Sequence, residues 1–375
     1  MFNHPKLRMT LEPHEIEQGA VKQIAQVLGI DVLEKLCVFS DVHQGYDIPI
    51  GSAALIDGYI WPGAVGVDIN CGMCHIDTGK TVDELGITNM DSRWALLRNI
   101  QRTVPTNYFD TGKDTPFKTF PNCTGDKALK DLITPKIGKQ LATLGGGNHF
   151  LSIGVNSKGN VSVTLHTGSR YAGNQIGKYW MKLAKEKGKN FNGLFLLPFE
   201  SELGEAYYTD MLWAFDYADR NRELILSAVL KIMGLDINSY RKTMINETHN
   251  HAIDMGDGTI LHRKGATPAE EGVLGIIPAN MRDGVFVTEG LGNEDFLCST
   301  SHGAGRCLAR AAATRQVKIE NVRAEMERLG IVVDLKDGNA DEAPEVYKDI
   351  KHVLDSQQHV VTVVDHFKPI IVHIG

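Results

Sequence analysis

LGGGNHFLSIGVNSKGNVSVTLHTGSR, residues Leu144 to Arg170, holds two apolar alternating runs around a short polar segment. Phe150–Val155 and Val161–His166 are rich in aliphatic and β-branched side chains. The intervening Asn156-Ser157-Lys158-Gly159-Asn160 is turn chemistry, so the stretch reads as a β-hairpin. A turn centred near Lys158 brings His149 and His166 within about two residues of facing each other, close enough for two imidazoles to share a metal ion. Taken alone, either histidine is more often a structural residue than a ligand.

The same device recurs outward from this hairpin. His249-Asn250-His251-Ala252-Ile253-Asp254, the turn Met255-Gly256-Asp257-Gly258 and the run through His262 form a second hairpin, and a period of two puts His249 and His251 on one face. Further upstream, Gly66-Val67-Asp68-Ile69-Asn70-Cys71-Gly72-Met73-Cys74 spaces a carboxylate and a thiol three residues apart, so both can reach one ion. Two plainer readings compete there: Cys71 and Cys74 are small core residues, or half of a structural zinc site. Downstream, Ser299-Thr300-Ser301-His302-Gly303-Ala304-Gly305-Arg306 runs into a helical segment that places Arg306 and Arg310 on one face. A histidine at a helix N-terminus followed by arginines suits attack on a phosphate, and the plain alternative is a capping loop.

Around these clusters, helical periodicity covers Pro13–Leu28, Asp91–Val104, Gly173–Lys187 and Ser201–Met233. Strand-like runs cover Thr259–Arg263, Val273–Pro278, Val285–Thr288 and Val360–Val364. Helices and strands are interspersed without a repeat or a Pro/Ser-rich linker, which predicts one mixed α/β domain over residues 1–375. A chain of 375 residues, 42% hydrophobic, can bury a large core. Its formal charge of −7 excludes a protein that coats nucleic acid indiscriminately, so contact with RNA needs a local basic patch. No run reaches the roughly 18–20 apolar residues of a membrane span, residues 1–11 lack a signal-peptide core, and six scattered cysteines suit reduced thiols; a cytoplasmic protein is expected. There is no P-loop, and Lys336-Asp337-Gly338 lacks the Lys-x-Asp-Gly spacing of lysine-using ligases, so nucleotide chemistry needs another nucleophile.

Together these motifs, from Asp41-Val42-His43-Gln44-Gly45-Tyr46 onward, resemble the RtcB family of RNA-splicing ligases. The resemblance implies a single domain of mixed sheets and β-hairpins carrying a central dinuclear manganese site. Asp68, Cys71, His149, His166 and His249 would hold the two ions, with Cys71 bridging, Asp68 and His149 completing one site and His166 and His249 the other. It further implies that His302 attacks GTP to form a histidine–GMP, which activates an RNA 3′-phosphate, itself derived from a 2′,3′-cyclic phosphate, for joining to a 5′-hydroxyl. Asp41 would orient His302. Asn148, Ser301, Gly303, Ala304, Gly305, Arg306 and Tyr347 would line the nucleotide site, and Arg170 and Arg310 would bind phosphate. An archease-type activator is a further partner the family suggests.

Three departures stand out. Ser152 occupies the position where the family usually has a glutamate that reads the guanine edge, the chain finishes His373-Ile374-Gly375 rather than Lys-Gly, and Ile277–Gly284 replaces a Pro-Gly-Ser-Met-Gly-like loop. They place the chain in a divergent bacterial branch. Two other functions use the same residues: a dinuclear phosphoesterase acting on cyclic phosphates, which needs the ligand cluster but not His302, and a non-catalytic sensor of RNA ends.

Overall fold

The computed structural model describes residues 2–106 and 115–375. The Leu144–Arg170 hairpin lies inside an eight-stranded sheet, with Phe150–Val155 antiparallel to Val161–Thr167 and Phe150 directly opposite His166. Gly72–Asp77 and then Ile245–Thr248 extend the sheet beyond Val161–Thr167. On the other side run Val361–Ile374, Val285–Gly290 and Leu274–Pro278.

Strand alternation sorts this sheet into two unlike faces. Leu151, Ile153, Val161, Val163, Leu165, Cys74 and Ile76 pack on one side against Leu97 and Ile100 of the helix Met90–Thr103 and against Ile225, Leu226 and Val229 of the helix Glu202–Ile232. Their neighbours Phe150, Ser152, His166, Val372 and Ile374 point the other way, into a cavity. A one-residue slip of this register would exchange ligands for core side chains, which is why an apolar face so thoroughly buried also fixes the chemistry.

The helix Glu202–Ile232 starts where Ser201 Oγ accepts the amide of Gly204, and Glu202 and Glu205 in its first turn complement the dipole. It also carries two buried polar side chains to the far end of the sheet. Arg222 donates to the carbonyls of Asn70 (2.8 Å) and Thr167 (3.3 Å), and the Asn221 amide pairs with both backbone groups of Thr143. These bonds tie the loops before Cys71 and His149 to the strand that ends after His166.

A second, five-stranded sheet consists of Leu7–Met9, Leu33–His43, Ile50–Asp57, Thr259–Lys264 and Asn250–Asp254. The expected hairpin after His249 is present, with Asp254 opposite Ile260. Chain leaving the large sheet at Thr248 enters this one at Asn250, so His249 sits at the junction of the two sheets rather than within a strand. The expected pairing of His249 with His251 on one face therefore does not occur. His251 turns to Thr248 Oγ1 and the ring of Phe215.

Expected helices appear at Gln18–Leu28, Met90–Thr103, Arg170–Lys187 and Glu202–Ile232. The expected strand Val360–Val364 extends to Ile374, passing Pro369 at a register shift where no ladder donor is required. Among the described residues, no helix is long and apolar enough to cross a membrane.

Candidate active site and metal centre

Asp68 and Cys71 lie on a tight turn closed by Cys71 N–H donating to Asp68 O (3.0 Å), with Asn70 in the left-handed region (φ 54°). Asn250 Nδ2 holds the Asp68 carbonyl from the second sheet, and His249 N–H donates to Cys71 O (3.0 Å). The hairpin supplies His149 and His166 beside them. Cys71 Sγ lies 3.3 Å from His149 Nε2 and 3.2 Å from His166 Nε2. Asp68 Oδ2 is 3.0 Å from His149 Nε2, and His249 Nε2 is 3.0 Å from His166 Nε2. The five side chains thus form a chain in the order Asp68, His149, Cys71, His166, His249, with the thiol at its centre.

This donor set fits a cation. His149 Nδ1 donates to the Leu144 carbonyl (3.0 Å), so the more distant Arg170 Nη1 (3.4 Å) packs against that ring nitrogen without bonding to it. His166 Nδ1 donates to Asn148 O (2.9 Å), while burial, then the neighbouring His149 and His302, push its pKa down to about 3. A neutral His166 with its one proton at Nδ1 presents a bare Nε2 lone pair to Cys71 and His249. Burial, followed by His302 and His166, holds His249 neutral as well. Burial, reinforced by Asp68, holds the Cys71 thiol well above its usual range, and a metal reverses that preference by taking the thiolate. The 3.0–3.3 Å separations are those of neighbouring ligands on bonds of about 2.0–2.3 Å. Cys74 is not part of the cluster; its side chain belongs to the helix-covered core and its thiol meets Asn246 Oδ1.

His302 stands at the other end of the row, its ring centroid 4.5 Å from that of His249. Asp41, fully buried at the end of Leu33–His43, accepts from both His302 Nδ1 (2.5 Å) and His302 N–H (3.1 Å). Gly305, at φ +73°, makes this possible: a Cβ there would lie 2.5–2.8 Å from three atoms of Asp41. Lys348 closes the arrangement, its Nζ donating to the carbonyls of Ser40 and Val42 that flank Asp41 and its N–H to Gly305 O.

The expected helix N-terminus at His302 is absent. Ser299–Ser301 is a strand, residues 302–309 are irregular, and helix begins only at Arg310, so Arg306 and Arg310 share no helix face. The amides of His302, Ala304 and Cys307 go to Asp41, Pro278 and Val346 instead of opening a helix. Arg306 is bridged to Tyr347 and donates to Glu342 (2.6 Å), which also accepts from Arg310 (2.9 Å) and from the Tyr347 hydroxyl. Arg310 also pairs with Asp341.

A cavity of about 750 Å³ joins the ligand cluster to this arginine group, a size that accommodates a nucleotide. Asn148, Ser152, Gly303, Ala304, Gly305, Arg306, Arg310 and Tyr347 all line it, and Asp41 lies just behind His302. Two expected residues face elsewhere. Ser301 is buried and accepts from Gln357, and Arg170 is packed behind His149 with its Nε on Thr143 Oγ1, so each braces the site without lining the cavity. The residues not foreseen are Glu342, Lys264 and Lys348. Three consecutive polar residues, His262-Arg263-Lys264, closing an otherwise apolar strand were the available signal for Lys264.

Comparison with known proteins accords with this geometry. The family model described as tRNA-splicing ligase RtcB matches residues 21–133 and 120–375. The RNA-splicing ligase RtcB of Escherichia coli K12 is 32% identical over 381 residues, covering 93% of this chain and 92% of that protein. The tRNA-splicing ligase RtcB of Archaeoglobus fulgidus is 29% identical, with 93% and 88% covered, and the RNA-splicing ligase RtcB of Mycobacterium tuberculosis H37Rv 28%, with 84% and 90% covered. With the model matching most of its length and a relative above 30% identity spanning nearly all of it, the chain belongs to the RtcB family.

Proposed function

We propose that this protein joins RNA 3′-phosphate or 2′,3′-cyclic phosphate ends to 5′-hydroxyl ends, using GTP and manganese, with His302 as the nucleophile that carries GMP. The observation that carries the reading is the pairing of His302 Nδ1 with Asp41 while the same ring lies against the ligand cluster. With Nδ1–H committed to a buried carboxylate, Nε2 keeps its lone pair, the state a nitrogen nucleophile requires.

Nε2 attacks the α-phosphorus of GTP, forming an N–P bond as the bond to pyrophosphate breaks. A 2′,3′-cyclic end first takes water at phosphorus as the P–O2′ bond breaks and O2′ gains a proton, leaving a 3′-phosphate. An oxygen of the RNA 3′-phosphate then attacks the phosphorus held on His302 and the N–P bond breaks, returning the electron pair to Nε2. The 5′-hydroxyl of the second strand attacks the activated 3′-phosphate, GMP leaves, and the hydroxyl proton passes to solvent or a nearby base. Asp41 holds the tautomer while His302 takes up and passes on GMP, and offsets positive charge on the ring while Nε2 is bonded to phosphorus. Asn148 and Tyr347 line the nucleotide site, and Arg306 and Arg310 meet phosphate once they exchange Glu342 and Asp341 for it. Two manganese ions held by Asp68, Cys71, His149, His166 and His249 would polarise the phosphate oxygens and neutralise their charge.

Covalent labelling with α-labelled GTP in manganese, beside ATP and beside His302→Ala, tests this. The expected result is label on the wild-type protein and none on the variant, with metal content equal in both. Label that survives His302→Ala moves the nucleophile elsewhere. Label from ATP in preference to GTP ties the change of base to the departures at Ser152 and at the C-terminus, where Ser152 and Ile374 both line the cavity.

A further inference from the structure

Tyr46 is 66% exposed, although a tyrosine ring ordinarily buries most of its area. It lines the cavity from the loop between Leu33–His43 and Ile50–Asp57. That loop is pinned on every side. Gln23 bonds both the amide and the carbonyl of Gly45 (3.1 and 2.7 Å), and Asp47 Oδ2 accepts the Trp61 indole N–H (3.0 Å). Lys264 Nζ donates to Tyr46 O (2.5 Å) and to Gly63 O (2.8 Å). A loop fixed in this way has already lost the backbone freedom that binding would otherwise remove, and it presents the ring to the cavity.

The neighbours give this ring a direction. The Lys264 ammonium lies 5.9 Å from the ring centroid, and its Cε approaches Gly66, two residues before Asp68. Aromatic ring, buried cation and ligand cluster therefore follow one another along one wall of the cavity. Single-stranded RNA is held in such places by stacking of unpaired bases on aromatic side chains, with cations along the backbone.

We propose that Tyr46 is a stacking platform for the terminal nucleobase of an RNA strand, placing that strand's end toward Asp68 and Cys71. The proposal rests on the ligase reading only in taking RNA as the occupant. The nucleotide base is the competing occupant, and it is separated by which ligand the variants affect.

The test uses metal-loaded protein without nucleotide and short single-stranded RNAs carrying 2-aminopurine as the terminal base, one ending in a 3′-phosphate and one beginning with a 5′-hydroxyl. Wild type and Tyr46→Phe should quench the fluorophore of at least one RNA. Tyr46→Leu, which keeps apolar bulk without a ring face, and Tyr46→Ala should not, with affinity for that RNA about tenfold weaker. GTP labelling of His302 should keep its concentration dependence in all four proteins. Equal quenching and affinity in the leucine and alanine variants would overturn the platform, as would a change confined to the nucleotide dependence. Because quenching is read without turnover, a protein that never labels would end the ligase reading and still leave the titration to decide this one.

Discussion

The ligand cluster and the charged rim of the same cavity meet where the tilted rings of His249 and His302 lie against each other, and they are held by different means. The cluster side chains His149, His166, His249 and Cys71 are 2–4% exposed, set at the ends of strands and between them, with the ring N–H groups of His149 and His166 donating to backbone carbonyls. The rim is placed by short elements, with Arg310 opening the helix Arg310–Gln316 and Asp341 and Glu342 ending the 3-10 turn Asp337–Glu342; with Arg306 and Tyr347 these groups balance one another, and nearly half of the Arg310 side chain meets solvent. A buried set of converging lone pairs tolerates no missing member, because the cation is its only compensation. A rim of exchanged charges can lose one partner and relax. Damage to the cluster should therefore be close to all-or-none, and damage to the rim graded.

The strongest test of that contrast is Cys71→Ala. Its sulfur is the atom within 3.3 Å of both hairpin imidazoles, so metal content measured by plasma mass spectrometry should fall for both ions and labelling should drop by at least about 10³-fold. Metal retained at wild-type stoichiometry would remove the bridging assignment.

Asp41→Asn comes next in size, since it lies on the boundary between the two regions. An asparagine can offer its amide N–H to His302 Nδ1, which moves the ring proton to Nε2 and occupies the lone pair. Labelling should slow by about 10²–10⁴-fold at saturating GTP with metal content unchanged. A loss of metal in this variant would show that the dyad and the cluster are one unit, contrary to the contrast drawn here.

Glu342→Gln probes the rim alone. Arg306 keeps the Asp341 carbonyl and Arg310 keeps the Asp341 carboxylate, so two of the three tied groups have a second partner. Unfolding by denaturant should show a loss of about 1–3 kcal/mol, with metal bound normally and labelling within about tenfold of wild type. An all-or-none loss of labelling would put Glu342 with the cluster in kind.

The same contrast explains what could be read from the sequence. The hairpin from Phe150 to Thr167 was legible because period-two alternation, turn residues and two histidines agree over a short span, and the register came out with Phe150 opposite His166. The turn from Asp68 to Cys71 was legible as chemistry, although spacing alone could not separate a ligand from core: Cys71 proved to face the histidines and Cys74 the helices. The loop after Ser301 was not. Its small residues and arginines resemble a helix start, but Gly305 turns the chain against Asp41, 264 positions earlier, and tertiary acceptors take the amides. His251 failed for a related reason, because a period of two holds only inside a strand and the chain changes sheets at His249. Local patterns carry local geometry, whereas Lys264 and Lys348 act through partners hundreds of residues away and Glu342 through arginines more than thirty positions before it.

Lys348 gives the smallest and most discriminating effect. It lies with the rim in sequence, one residue after Tyr347, yet its ammonium grips the two carbonyls flanking Asp41 at 2.7 and 3.1 Å and its amide holds Gly305 O. Burial lowers its pKa, and Asp41 is the foremost of the acidic groups that oppose the shift. Lys348→Met removes the grip and leaves every ligand and His302 in place. The labelling rate at saturating GTP should fall about tenfold, since a nucleophile displaced by less than an ångström loses alignment before it loses binding. The GTP concentration for half-maximal rate and the metal content should not move, and Lys348→Arg, which keeps two donors and the charge on a bulkier head, should recover part of the rate. A rise in that GTP concentration with the saturated rate intact would place Lys348 with the arginines at the rim, and a loss of metal would place it with the cluster; an effect on rate alone marks it as the strut that transmits the fold of the second sheet to the attacking nitrogen.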